Sequence, residues 1–470
     1  MSIKIALPKG RLLSETSTLL QGAGWGLAGY RETARFYRIK SGGFPNLSAR
    51  VFHERDIPIQ VAIGNYDLGI CGSDWIEELL AKYPSSALLK VRNLGYGEGT
   101  LYVAASRSEG TSTAEEVKAR PGIIRIASEY PNLAESFALN LRLRRFSVFP
   151  LWGAAEVYPP ENADLALVSG TAEELLHYGL VPVSKVLSVS ALLIANRNSW
   201  ESKDMGEVVA SIYDKVTAQE ATKPEIVGQY PEKSEVFPGT RSEDVVRFAL
   251  PDGHQQLPTL RLLTKAGIHI DDYPSATGNR RPTTDLPGVT IKVIRPQDMP
   301  LQVASGNFDL AITGRDWLKE HLYQFPSSPV TELLDLKLGK VKIVAVVSKD
   351  LSVADVHSLR QLNAERAVPL RVASEYVNIA DKYARDNHLG LYRVIPTWGA
   401  SEAFLPEDAD LLIENTQTGR TLARHNLKII DTLFQSTACL IGNTNRVSSS
   451  VKGERIKSII KTLRNAVEEI

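Results

Sequence analysis

The feature that most constrains this chain is an internal duplication that runs through nearly its whole length. The segment RDIPIQVAIGNYDLGICGSDW at residues 55–75 returns as QDMPLQVASGNFDLAITGRDW at residues 297–317. SALLIAN at residues 190–196 returns as TACLIGN at residues 437–443. Solenoid repeats have periods of about 20–50 residues, and these copies are far longer. The sequence therefore predicts two tandem copies of one domain.

The repeat also sets the predicted boundaries. We expect a first repeat at residues 1–216, a polar, Pro-bearing linker at 217–243 and a second repeat at 244–470. Short apolar runs such as IKIAL and DLGIC alternate with helix-like stretches, which predicts an α/β fold with a largely parallel sheet. An amphipathic helix is predicted near the end of each copy. The predicted lobes are 1–97 plus 186–216 and 98–185 in the first repeat, and 244–340 plus 432–470 and 341–431 in the second.

Composition narrows the class of protein. Lys plus Arg and Asp plus Glu both number 54, so the formal net charge is zero, which argues against a nucleic-acid binder that relies on positive charge. The two cysteines, Cys71 and Cys439, lie far apart and suggest buried packing, without a disulfide framework or a zinc site. No apolar run approaches the ~20 residues of a membrane helix, and the N-terminus shows no cleavage pattern. We expect a cytoplasmic protein.

A candidate anion-binding turn follows the apolar run ADLLI. Its residues, ENTQTGRTL at 414–422, are mostly small, hydroxylated or cationic. A strand-to-helix turn presents free backbone N–H groups at the positive end of a helix dipole, where an anion can bind. Helix capping alone would explain the same residue types equally well. The residues predicted to bind a sugar phosphate are Glu414, Thr416, Gln417, Thr418, Gly419, Arg420 and Thr421.

Six motifs together resemble the ATP phosphoribosyltransferase family. They are ALPKGRL (6–12), RDIP (55–58), DLGICGSD (67–74), LGYGEGTLYVAA (94–105), YPNL (130–133) and TGRTL (418–422). The resemblance implies tandem copies of a two-lobed fold similar to type II periplasmic binding proteins. It also implies a glycosyltransferase in which adenine N1 of ATP attacks C1 of phosphoribosyl diphosphate with Mg²⁺, releasing diphosphate. Short forms of the family work with a subunit resembling histidyl-tRNA synthetase, so that partner and a homo-oligomer are candidate partners.

The two copies depart from the family motifs at different places. The first repeat keeps ALPKGRL, where the second has ALPDGHQ, and it keeps Arg55 where the second has Gln297. Conversely, the second repeat keeps ENTQTGRTL, where the first has VSGTAEEL at residues 168–175. That stretch is one residue shorter and carries two glutamates that would repel a phosphate.

These complementary losses predict one composite active site. The second repeat would hold ribose 5-phosphate through its turn, and the first would supply cations for the diphosphate and the ATP phosphates. We expect Arg55 to stabilise the leaving diphosphate and Glu402, in WGASE, to bond the ribose or a metal-bound water. Mg²⁺ is expected to be held through the substrate phosphates. The residues of the first repeat predicted to bind substrate are Lys9, Gly10, Arg11 and Asp74.

Rival interpretations stay open for the chain and for single residues. The scaffold could belong to a non-catalytic, nucleotide- or sugar-phosphate-binding regulatory protein, or to an enzyme that has lost its activity by drift. Lys9 and Arg11 could be solvated charges, Arg55 a surface ion pair, and Asp74 a helix cap. The tryptophans recur in both copies, whether or not the copy keeps the family's other motif residues, so we predict that they serve packing.

Overall fold

The computed structural model describes residues 2–31, 38–216, 244–276, 278–399, 401–444 and 451–468. The predicted linker at 217–243 lies outside the described residues. None of the helices within these ranges has the length and apolar character needed to cross a membrane. The chain divides into two compact units. Unit 1 comprises Met1–Pro150, Tyr158–Gly239 and Trp398–Ala403, and unit 2 comprises Leu151–Val157, Thr240–Thr397 and Phe404–Ile470.

The first repeat alternates strands and helices, as the apolar runs predict. Its elements in chain order are β1 (Ile3–Lys9), α1 (Leu13–Gly22), β2 (Arg38–Lys40), β3 (Leu47–His53), α2 (Ile57–Ala62), β4 (Leu68–Gly72), α3 (Ser73–Lys82), β5 (Leu88–Asn93), β6 (Gly99–Ser106), α4 (Ala114–Ala119), β7 (Ile124–Ser128), α5 (Pro131–Asn140), β8 (Phe146–Pro150), β9 (Leu165–Gly170), α6 (Ala172–His177), β10 (Leu180–Val189), β11 (Ala191–Asn196), α7 (Arg197–Ser202) and α8 (Gly206–Tyr213).

The second repeat follows a similar order of elements, but among the described residues it has two short strands where the first repeat has one, and a single long final helix where the first has two short helices. Its elements are β12 (Val246–Pro251), α9 (Gln256–Lys265), β13 (Ile270–Asp271), β14 (Thr283–Thr284), β15 (Val289–Ile294), α10 (Met299–Ala304), β16 (Leu310–Gly314), α11 (Arg315–Gln324), β17 (Val330–Asp335), β18 (Val341–Ser348), α12 (Val356–Ala364), β19 (Leu370–Ser374), α13 (Val377–Asp386), β20 (Tyr392–Pro396), β21 (Leu411–Thr416), α14 (Arg420–Arg424), β22 (Leu427–Ser436), β23 (Ala438–Asn443) and α15 (Val451–Glu468). Helices α8 and α15 confirm the two predicted amphipathic helices.

Each unit contains two main sheets. In unit 1 the strand orders are β2-β3-β1-β4-β11-β5 and β10-β6-β9-β7-β8. In unit 2 they are β15-β12-β16-β23-β17 and β20-β19-β21-β18-β22, with a small β13-β14 pair. The chain leaves the first sheet of each unit and returns to it with β11 or β23, which produces two lobes. The predicted tandem α/β fold is therefore confirmed.

The sheets are mixed, although the sequence predicted a largely parallel arrangement. β1 pairs in parallel with β3 and β4, whereas β11 is antiparallel to β4 and β5. Strand β11 follows the long antiparallel strand β10 directly, so no crossover helix precedes it. Since β1 and β4 run in the same direction, the turns that follow them lie at one edge of the sheet. The residues of those turns begin the candidate site.

Candidate functional site

The turn after β1 brings Arg11 into a cluster of carboxylates in unit 1. Gly10 has φ of +87°, a left-handed conformation that favours glycine. The Nε of Arg11 donates to Glu54 at 3.2 Å, and its Nη2 donates to both carboxylate oxygens of Asp74 at 2.9 Å. The hydroxyl of Tyr130 also donates to Asp74, at 2.8 Å. Arg11 thus positions two acids, and Asp74 does not cap α3, whose N-cap residue is Gly72.

Burial gives the carboxylate of Glu54 an unusual protonation range. Desolvation raises the pKa of Glu54 to about 7, even though the neighbouring charge of Arg11 opposes the shift. Burial also raises the pKa of the Tyr130 hydroxyl, and the negative charge of Asp74 raises it further. The cluster therefore contains a carboxyl group that titrates near neutral pH and a phenol that stays protonated there.

Arg55 lies between two indole rings in unit 1. It sits in a 3₁₀ turn, Glu54–Asp56, that joins β3 to α2. Its guanidinium carbon lies 5.2 Å from the ring centroid of Trp75 and 4.1 Å from that of Trp398. Trp398 comes from the second repeat in sequence but is part of unit 1. Burial lowers the pKa of Arg55, and nearby carboxylates oppose the shift. The guanidinium is packed between aromatic faces, which a solvated surface ion pair would not require.

The candidate residue Glu402 reaches unit 1 on the same short segment. It lies half-buried in a 3₁₀ turn, Ser401–Phe404. The segment is tied to the first repeat because Arg50 donates from Nη1 to the carbonyl of Ala403. Unit 1 therefore contains Glu402 together with the cations predicted for the first repeat. The matching acid of the other copy, Glu156, is part of unit 2, where its Oε1 lies 3.7 Å from Nε of Arg280.

The motif ENTQTGRTL spans the turn between β21 and α14. Gly419, with φ of +71°, precedes the helix, and its N–H donates to Oγ1 of Thr416 at 3.0 Å. Asn415 donates from Nδ2 to the Tyr376 hydroxyl at 3.0 Å. Helix α14 has only 5 residues, so the expected helix dipole is small. An anion at this turn would then depend on the turn's own donors. The exposed side chains of this motif are those of Asn415, Gln417, Thr418, Arg420 and Thr421.

In the first repeat the backbone of the matching turn is hydrogen-bonded by a glutamate of the same turn, Glu174. Glu174 accepts the N–H of Thr171 at 2.7 Å, and its own N–H donates to Oγ1 of Thr171 at 3.2 Å. This reciprocal pair is a capping box that opens α6. The carboxylate oxygen also lies 2.8 Å from the position that a Cβ on Gly170 would take. Glu174 thus already accepts the N–H of Thr171, and the repulsion of phosphate at this turn stays a prediction.

In the altered turn of the second repeat, ALPDGHQ, the negative charge of the aspartate is paired with nearby arginines. Oδ2 of Asp252 lies 2.7 Å from Nη1 of Arg280 and 3.1 Å from Nη1 of Arg295. A cavity of about 310 Å³ in unit 2 is lined by this turn and by Asn415, which precedes the turn residues of ENTQTGRTL. Two buried atoms, Nε of Arg295 and Oε1 of Gln255, have no hydrogen-bond partner among the described residues. The cavity thus has polar walls, but its arginine is already paired with an acid.

Sequence reasoning missed several residues that the structure adds to the site. Glu54 and Tyr130 were not predicted as site residues, and their bonds to Arg11 and Asp74 join parts of the chain 43 and 56 residues apart. No local pattern signals such contacts. The capping role of Glu174, by contrast, was readable from the spacing of TAEE. Lys9 ends β1, opposite His53 in the register of β3, and is half-buried.

Comparisons with known proteins point to one family. The family model described as ATP phosphoribosyltransferase matches residues 53–218 and 295–465. The ATP phosphoribosyltransferase of Prosthecochloris aestuarii is 32% identical over 231 residues, covering 48% of this chain and 73% of that protein. That of Saccharolobus solfataricus is 33% identical over 233 residues, covering 47% and 72%. A solved ATP phosphoribosyl transferase (HisG:HisZ) complex from Thermotoga maritima gives a TM-score of 0.39 at 21% identity, covering 48% of this chain and 100% of that one.

Proposed function

The chain belongs to the ATP phosphoribosyltransferase family, and we propose that it transfers the phosphoribosyl group of phosphoribosyl diphosphate to N1 of ATP with release of diphosphate. One observation carries the proposal. The two repeats keep complementary parts of the family's motifs, and the segment Trp398–Ala403 of the second repeat lies in unit 1 together with Lys9, Arg11 and Arg55. A protein that only bound a sugar phosphate would not need the cations of the first repeat.

The residue types suit the chemistry of this transfer. Adenine N1 carries a free lone pair, so the attack requires no strong general base. The barrier lies in breaking the C1–O bond, which develops positive charge on the ribose and negative charge on the diphosphate. Arg55 and Lys9 would stabilise the negative charge, and the carboxylates of Glu402 and Glu414 would accept hydrogen bonds from ribose hydroxyls. Arg11, held by two carboxylates, would act mainly by positioning Asp74.

The 5-phosphate would be bound by the turn of the second repeat. Its exposed donors are the hydroxyls of Thr418 and Thr421 and the guanidinium of Arg420. The position of Arg420 is taken in the first repeat by Glu173, next to the Glu174 that already caps the turn. This contrast supports the proposal that only the second repeat receives the sugar phosphate, while the first repeat provides the charge for the leaving group.

Magnesium would enter with the substrates. Among the described residues no group of three or more His, Cys, Asp or Glu side chains could hold a metal ion. The ion would be held mainly by diphosphate oxygens, which is the usual arrangement for Mg²⁺ in phosphate-transferring sites. When bound, the ion would neutralise charge on the leaving diphosphate. Glu402 could bond one of its water ligands.

The test is diphosphate release from ATP plus phosphoribosyl diphosphate, measured with and without Mg²⁺. We expect Thr418→Ala and Arg420→Ala to lower turnover by about 100-fold, since each removes a donor to the bound phosphate. The matched variants Thr171→Ala and Glu173→Ala, in the closed turn, should stay within about twofold of wild type. The opposite ranking would assign the sugar phosphate to the first repeat.

A control separates the enzyme from its rival. If no turnover occurs, even with a subunit resembling histidyl-tRNA synthetase added, binding of phosphoribosyl diphosphate should be measured by calorimetry. Binding that depends on Arg420 without turnover would favour the non-catalytic sugar-phosphate-binding protein. Further homo-oligomerisation of the chain is a separate proposal, which light scattering at the assay concentration would test.

A further inference from the structure

The two units treat equivalent tryptophans differently. In unit 1 the guanidinium of Arg55 lies between Trp75 and Trp398, at 5.2 and 4.1 Å from the ring centroids. In unit 2 the equivalent rings, Trp152 and Trp317, contact each other with centroids 5.6 Å apart and an interplanar angle of 59°. The residue that corresponds to Arg55 there is Gln297. The equivalent pairs of indole rings therefore contact a cation in unit 1 and contact each other in unit 2.

The contacts around the stack hold each ring in place. Trp75 packs on Tyr130 with centroids 4.3 Å apart, and the Tyr130 hydroxyl donates to Asp74. On the other side, the segment that carries Trp398 is tied down by the bond from Arg50 to the carbonyl of Ala403. The two rings that contact the guanidinium thus each belong to a segment with attachments of its own.

Stacking of this kind fixes orientation without using hydrogen bonds. A guanidinium group on the face of an indole ring is attracted by the ring's quadrupole. A cation–π contact does not use the N–H groups of the guanidinium, so it does not compete with hydrogen bonds to a bidentate anion such as a phosphate. The planar fork loses little further freedom when it binds, and this preorganisation favours the state in which charge develops on the leaving group.

We propose that Trp398 is a positioning residue, contributed by the second repeat, that holds the guanidinium of Arg55 in the orientation in which it meets the leaving diphosphate. The inference rests on the proposed function insofar as it assigns the diphosphate to Arg55. It revises the prediction from sequence that the recurring tryptophans serve packing alone. Trp152 fits that prediction, because its described partner ring is Trp317.

Steady-state kinetics of four variants test this role. Trp398→Leu should lower kcat by about tenfold, the effect of losing one desolvated cation–π contact, while KM for ATP changes by less than about twofold. Trp398→Phe should recover most of the loss, because it keeps an aromatic face. Trp152→Leu, the matched change in unit 2, should leave kcat within about twofold of wild type. Trp398→Met replaces the leucine variant if that protein does not fold.

A double-variant cycle shows whether Trp398 acts through Arg55. If it does, Trp398→Leu should lower kcat no further once Arg55→Ala is present. Equal losses in both backgrounds, or a lowered thermal midpoint with unchanged kcat, would overturn the inference and leave Trp398 as a packing residue. A Trp152→Leu variant as impaired in kcat as Trp398→Leu would overturn it too.

A binding measurement separates this inference from the proposed function. Calorimetry with inorganic diphosphate as the probe needs no turnover. We expect Trp398→Leu to bind diphosphate about tenfold more weakly than wild type. The Arg55→Ala, Trp398→Leu double variant should bind it at least as weakly as Arg55→Ala alone, but without a further tenfold loss. This pattern in a protein that does not turn over would refute the proposed reaction and keep the role of Trp398. Absence of diphosphate binding by the wild-type chain would overturn both.

Discussion

Replacing Asp252 by lysine should destabilise unit 2, although lysine is the residue at the matching turn of the first repeat, Lys9. Asp252 is bonded by Arg280 and Arg295 at 2.7 and 3.1 Å, and its side chain is only 15% exposed. Burial alone would raise the pKa of Asp252, but the hydrogen bond from Arg280 and the two positive charges lower it. The charged carboxylate is therefore the form that the folded turn stabilises.

The expected size of the effect follows from this geometry. Exposed ion pairs contribute about 0.2–1 kcal/mol, whereas breaking a buried pair costs about 3–5 kcal/mol. The two arginines are 24% and 41% exposed, so the site lies between these limits. We expect Asp252→Asn to cost about 2 kcal/mol. In Asp252→Lys an ammonium group beside two guanidinium groups adds repulsion, which is reduced because the lysine side chain can rotate toward solvent. We therefore expect Asp252→Lys to lose about 2 kcal/mol more stability than Asp252→Asn.

Hydrogen exchange read by mass spectrometry suits this test, because a chain with two compact units need not unfold in one step. Amides of β12 and β15 should exchange faster in Asp252→Asn and faster still in Asp252→Lys. Amides of β1 and β3 in unit 1 serve as the internal control. The charge swap Asp252→Lys with Arg280→Asp should recover part of the protection. Equal or greater protection in Asp252→Lys than in Asp252→Asn would refute the argument that Arg280 and Arg295 compensate for this acid.

Three further predictions concern buried and capped groups. The pKa of Glu54 is about 7 in the folded chain, above the ordinary 4.5, so the folded state binds its proton more tightly, and this group's contribution to stability falls as pH rises from about 4.5 to about 7. Glu54→Gln should therefore gain thermal stability relative to wild type between pH 5 and pH 8. A difference in stability that does not depend on pH would contradict this. Glu174→Ala should destabilise α6 by about 1 kcal/mol, seen as faster amide exchange there, without changing turnover. Cys71 and Cys439 are buried, and burial raises the pKa of both thiols. Neither should therefore react with a thiol reagent until the protein unfolds. Rapid labelling of the folded chain would contradict the burial of these two side chains.

The elements and their order could be predicted from the sequence because they follow local periodicity. The apolar runs IKIAL and DLGIC became β1 and β4, and the register of parallel strands then placed the turns after them at one edge. The mixed pairing of the sheets was not predicted, since a buried strand has the same composition in a parallel or an antiparallel ladder. The short α14 was not predicted either, because helix length there depends on where Leu427 begins β22.

The partners of charged residues were the least predictable part of the site. Arg11 resembles a free phosphate ligand in sequence, yet it is bound by Glu54 and Asp74, which follow it by 43 and 63 residues. The placement of Trp398 in unit 1 is likewise invisible to any local pattern. Both facts depend on which surfaces the folded chain brings together, and sequence spacing carries no information about that when the intervening segments are long.

Two equivalent aspartates have different partners in the two units. Asp74 in unit 1 is bonded by Tyr130 and by the cation Arg11, whereas Asp316 in unit 2 is bonded by the neutral hydroxyls of Tyr376, at 2.6 Å, and Ser436, at 2.7 Å. The wall of the unit 2 cavity thus carries Asp316, which accepts hydrogen bonds from neutral hydroxyls, and Asp252, which is paired with Arg280 and Arg295. Such a wall disfavours a diphosphate. The two copies of the motif therefore differ in the charge balance around this aspartate, since only the copy in unit 1 is bonded by a cation.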